Sequence, residues 1–100
     1  MSETAELLQA VRARVEKGWC QGRFGIWSEG ELGEVCLEGA LLLERLVYSG
    51  DAPARAERAI RSVLKRLGHK GSIAGFNDKP ERTQQEILEV LDRAIEEESR

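Results

Sequence analysis

Four side chains that could do polar chemistry fall close together in the stretch FNDKPERT: the amide of Asn77, the carboxylate of Asp78, the guanidinium of Arg82 and the hydroxyl of Thr83. Gathered beside a helix start, these groups would suit a small polar ligand such as a nucleotide or metabolite, with Trp19, Trp27 or Phe76 as an apolar wall. The same residue types also brace turns. Asn and Asp bond to backbone amides a residue or two onward, Pro80 fixes the chain direction, and Arg82 can anchor the turn on a carboxylate such as Asp78. The bracing role carries more weight, and the ligand role stands beside it as the alternative.

A second constellation is LGHKGSI, Leu67 to Ile73. The amides of Gly68 and Gly71 with the ammonium of Lys70 could form an anion-binding nest. The Gly-x-x-Gly spacing also matches the loop by which KH domains clamp a nucleic-acid backbone, but that loop joins two helices and AGFNDKP is not expected to sustain one. His69 has no nearby nucleophile and orienting acid to work with as a general base, so it is expected as a surface residue favoured by a helix C-terminus. Cys36 heads the most apolar segment and is expected to pack rather than react. Cys20, Cys36 and a single histidine fall short of a four-ligand zinc site, so no metal, cofactor or catalytic residue is assigned.

Charge is segregated along the chain. From Ala52 to Gly71, Arg55, Arg58, Arg61, Lys65, Arg66 and Lys70 face a single acid, Glu57, whereas acids dominate from Glu86 onward. Arg55, Arg58, Arg61 and Lys65 are therefore a candidate interaction surface, meeting acids of the same chain, of a homodimer or of a protein partner. A net charge of −3 argues against nucleic acid as that partner.

The elements that must position these groups follow from periodicity. Leu7, Leu8, Val11 and Val15 place a helix over Ser2 to Lys17, stopped at Gly18. Glycines then punctuate Trp19 to Glu34, where Arg23 to Ser28 could pair with Leu32 to Val35 as a small hairpin or form a compact loop. Val35 to Tyr48 is apolar on nearly every face and is expected to be the central, surrounded helix, with Gly39 allowing a close crossing. Ala54 to Leu67 forms the next helix after Pro53, and TQQE opens the last with Thr83 and Glu86 as a reciprocal capping box. A mainly α fold results, with about four helices around a central apolar one and an excursion after the first. At 100 residues and 41% hydrophobic content this is one domain, 1–100, with 1–3 and 97–100 expected to fray. No apolar run reaches the roughly 18 residues of a membrane span. With only two cysteines and no leader-like N-terminus, a reducing, cytoplasmic location is expected.

CLEGALL at Cys36–Leu42 and FNDKPERTQQEILEVLDRAI at 76–95, with Gly18 and Trp19, resemble a family of small bacterial and phage proteins, common in actinobacteria, that is catalogued as a domain of unknown function. Its members share a Cys-Leu-x-Gly-Ala helix and a C-terminal aromatic-Asn-Asp turn followed by Arg-Thr. Phe76 stands where that family often has tryptophan, and the connection before the cysteine helix is shorter. The resemblance carries no activity; it directs attention to Cys36, Gly39, Asn77, Asp78 and Thr83. Together these features describe a non-enzymatic binding module that acts through a protein partner or self-association, with small-ligand binding as the alternative.

Overall fold

The structure is a computed structural model that describes residues 2–28 and 31–100, with the side chains of 27, 28, 31 and 32 outside that description. The order is α1 (Glu3–Lys17), β1 (Gly25–Ser28), β2 (Glu31–Val35), α2 (Leu37–Arg45), α3 (Ala52–Arg66), α4 (Ile73–Asp78) and α5 (Gln84–Glu98). The fold is mainly α, and the excursion after α1 is a two-stranded antiparallel hairpin pairing Gly25 with Val35 and Ile26 with Glu34.

Helix α1 is the hub, packing against α5, α2, α3 and β2. Its stripe of Leu7, Leu8, Val11 and Val15 is fully buried and meets Ile60 and Val63 of α3, Leu37 and Leu41 of α2, and Ile87 and Leu91 of α5. Each such side chain stabilises the fold by about 2 kcal/mol through removal from water. Helices α1 and α5 run antiparallel and are tied near both ends. The Ser2 hydroxyl donates to the Glu98 carbonyl at 3.2 Å, and the Gln84 amide donates to the Val15 carbonyl at 2.7 Å. Between them Arg12 bonds to Asp92 at 2.6 Å.

Two expectations are refined. The central position belongs to α1, because α2 is shorter than its apolar run and buries only one side, through Leu37, Ala40, Leu41 and Glu44. Glu44 turns inward to Arg14 at 2.6 Å, which fixes the rotation of α2 and leaves Leu42, Leu46 and Val47 facing water. There are five helices among the described residues, because Ser72 caps the Gly75 amide at 2.9 Å and lets IAGFND form the short α4 before the proline. The loop at Gly68 therefore does join two helices, although the second is only six residues long.

Gly39 marks the closest crossing. A Cβ there would lie 2.1 Å from the Phe24 carbonyl oxygen, far inside contact distance. That carbonyl accepts from the Cys36 amide at 3.0 Å, and the Cys36 thiol itself caps α2 by accepting from the Gly39 amide at 3.1 Å. A bare backbone at residue 39 is thus what allows the approach to β1 to dock on the first turn of α2.

Candidate functional site

The last turn of α4 carries Asn77 and Asp78, and they face the hairpin side of the molecule. Asn77 is completely buried. Its Oδ1 accepts from the Trp19 indole at 2.7 Å and from the Leu37 amide at 3.0 Å. Its Nδ2 donates to the Cys20 carbonyl and to Asp78 Oδ1, both at 3.0 Å. A carboxamide has two acceptor sites and two donor hydrogens, so its capacity is filled. Gln21 adds a clasp from the chain after α1, donating to the carbonyls of Asn77 and Lys79 at 2.9 and 3.0 Å. Asp78 accepts from the Gly22 amide at 2.8 Å, where a positive φ of 79° suits glycine. Through one side chain this junction joins the segment after α1, the start of α2 and the end of α4.

The opposite side of α4 faces α5 and the end of α3. Here the Arg82 guanidinium lies 3.6 Å over the Phe76 ring, donates to the Phe76 carbonyl at 2.9 Å and pairs with Glu86 at 2.9 Å. Asp78 is not its partner. Lys79, Pro80, Glu81 and Arg82 form a tight turn closed by the Arg82 amide to the Lys79 carbonyl at 3.0 Å, with Glu81 at a left-handed φ of 71°. Glu86 also accepts from the Thr83 amide at 3.0 Å, completing the capping box, and this bond together with Arg82 holds its carboxyl below the usual value of 4.5. The His69 ring meets Phe76 edge-on at 5.3 Å, and its Nε2 lies 2.9 Å from the Ser72 carbonyl. Between these elements runs a groove of about 560 Å³, with Leu67, Phe76 and Val90 as apolar lining and Lys70, Lys79, Arg82 and Arg93 as cations.

The nest drawn from sequence is only partly realised. Gly68 has φ 88° and its amide turns back to the Lys65 carbonyl at 3.0 Å, ending α3, so that amide is not directed at an anion. Gly71 lies against the His69 ring in an adjoining recess, while Lys70 lines both that recess and the groove. On α3, Arg55 reaches Glu98 at 3.6 Å, Arg61 reaches Glu57 at 3.3 Å and Arg66 pairs with Glu97, so part of the basic face is neutralised within the chain. Arg58 and Lys65 are exposed and form no ion pair among the described residues. Cys20 and Cys36 are buried free thiols, and burial raises the pKa of both. Among the described residues no cluster of three or more His, Cys, Asp or Glu could hold a metal ion, and no helix is long and apolar enough to cross a membrane.

The residues singled out in FNDKPERT thus divide between two sides of one short helix. Asn77, Asp78 and Trp19 meet in the junction; Arg82 joins the groove, and Thr83 caps α5. The Trp27 side chain lies outside the described residues. Gln21 gave no signal in the sequence. Lys79 gave no site signal either, and Glu89 and Arg93 counted only toward the acidic balance of the last segment, although Glu86, Glu89, Val90 and Arg93 recur at the spacing of one helix face, which projecting α5 reveals.

Fold and sites together define a small helical domain in which a buried asparagine ties the segment after α1 to α2 and α4. The chain belongs to a family of unknown function, DUF6197, whose family model matches residues 1–97. Neither a curated protein nor a solved structure matches the chain.

Proposed function

We propose that this protein is a non-enzymatic binding module that works by self-association through the exposed face of α2. The observation that carries the proposal is a run of large aliphatic side chains left in water where the helix ends: Leu42 is 37%, Leu46 85% and Val47 69% exposed. Leu42 and Leu46 are one helical turn apart, so they form a continuous apolar strip rather than scattered contacts.

The polar residues on that face favour a second copy as the occupant. Glu38, Leu42, Arg45 and Leu46 follow one another at the spacing of a single helix face, with the acid at the start and the base near the end. In an antiparallel pair of α2 helices related by a two-fold axis near Leu42, Glu38 of each copy meets Arg45 of the other, and the leucines close over one another. A two-fold contact is self-complementary by construction, and the placing of Glu38 and Arg45 on either side of Leu42 supports such a pairing in charge. The basic face of α3 is a weaker candidate, because α5 already supplies carboxylates to Arg55 and Arg66.

Native mass spectrometry and light scattering across a concentration series test the proposal. The wild-type chain is expected to dimerise and Leu46→Glu to remain monomeric with an unchanged melting temperature. Glu38→Arg or Arg45→Glu alone should weaken the dimer, and the two together should restore it. A wild-type chain that stays monomeric at high micromolar concentration, or a double variant that is not restored, overturns this arrangement.

A further inference from the structure

The groove between α4, α5 and the end of α3 lies apart from the α2 face, and its charges are unevenly matched. Lys70, Lys79, Arg82 and Arg93 line it against two carboxylates, Glu86 and Glu89. Glu86 is already engaged by Arg82 and by the Thr83 amide. Lys70, Lys79 and Arg93 are exposed and form no ion pair among the described residues, so three unpaired cations and one remaining acid share the opening.

Arg82 differs from those three. Its side chain is only 13% exposed and its plane is fixed by the Phe76 ring, the Phe76 carbonyl and Glu86. Nε and Nη1 are occupied by these partners, which leaves the second terminal nitrogen with donor hydrogens still available. A guanidinium held in place with spare donors, surrounded by exposed cations, suits an oxyanion with several acceptor oxygens. The side chains of Leu67, Phe76 and Val90 supply an apolar lining, and a volume of about 560 Å³ lies within the range of small-molecule sites.

We propose that this groove binds a small phosphomonoester, with Lys70, Lys79, Arg82 and Arg93 holding the phosphate and the apolar lining contacting the body it is attached to. The excess of two positive charges among the lining residues matches a phosphate dianion. A monocarboxylate would leave one of those charges unanswered. No backbone amide of Gly68 is required, so the site differs from the glycine nest suggested by the loop sequence.

The experiment is calorimetric titration of 5′-AMP into the wild-type chain at low salt, with adenosine as the uncharged comparison. Saturable binding at one site per chain is expected, at least about tenfold tighter for 5′-AMP than for adenosine. The double variant Lys70→Glu, Arg93→Glu should lose at least about tenfold in affinity. Both positions are exposed, so its melting curve should match that of the wild type. A control of equal charge change away from the groove, Lys17→Glu with Arg58→Glu, should bind like the wild type. Absence of saturable binding, equal binding of adenosine, or equal losses in the groove and control variants each overturns the assignment.

Discussion

The two sides of α4 begin from the same few residues and end in opposite conditions. On the hairpin side, Asn77 is buried with every donor and acceptor filled by Trp19, Cys20, Leu37 and Asp78. On the α5 side, Phe76 and Arg82 border an open groove whose surrounding lysines and arginine face water. The residue types alone did not separate these fates. Hydrogen-bond capacity did: a carboxamide holding four partners has nothing left for a ligand, whereas a guanidinium bound at two of its three nitrogens still has donors to offer.

The comparison predicts where the molecule is fragile. Gly39→Ala should have the largest effect, because its methyl group would enter the Phe24 carbonyl and neither backbone segment can move without breaking the junction. A loss of about 3 kcal/mol or more is expected in chemical denaturation. Near-normal stability would mean that the approach to β1 is not held against α2, and the junction would lose one of its walls.

Asn77→Ala follows. It strands the Trp19 indole, the Leu37 amide and the Cys20 carbonyl in a buried setting, with an expected loss of about 3 kcal/mol partly relieved by entering water. Arg93→Ala on the groove side should change stability by less than about 0.5 kcal/mol. If the two variants melted alike, the contrast between a closed and an open side would fail.

The smallest effect is a pH dependence confined to the groove side. Glu86 has its pKa lowered from 4.5 by the Thr83 amide first and by Arg82 second. A carboxyl that is more acidic when folded contributes stability above its unfolded value, and that contribution is lost as pH falls through the lower folded value. Glu86→Gln should therefore fall behind the wild type in stability near neutrality and converge with it as pH falls below 4.5 and on through the lower folded value. A stability difference independent of pH would show that the charge of Glu86 adds nothing beyond its cap geometry.

Much of this architecture is legible in the sequence. The stripe Leu7, Leu8, Val11 and Val15 declared a buried helix face, and TQQE declared its own capping box, since both signals act within one or two turns of chain. Gly39 inside an apolar helix announced a close crossing, although it could not name Phe24 as the neighbour. The run from Val35 to Tyr48 misled for a physical reason. Apolar residues on every face indicate that a helix could be surrounded, but the ion pair from Arg14 to Glu44 fixes which face turns inward and leaves Leu42 and Leu46 outside.

The sequence by itself therefore determined the buried stripe of α1, the capping box of α5 and a bare backbone at Gly39, because these depend on local sterics and on hydrogen bonds between near neighbours in the chain, whereas the short α4 behind Ser72 did not show in it. Only the tertiary structure decided that Asn77 is a brace and Arg82 a groove wall. The partners of Asn77, namely Trp19, Cys20 and Leu37, come from distant segments, whereas Arg82 bonds to its near neighbours Phe76 and Glu86 and becomes a groove wall because the end of α3 packs beside it; a polar side chain's role is set by whichever of its bonds its surroundings leave unfilled.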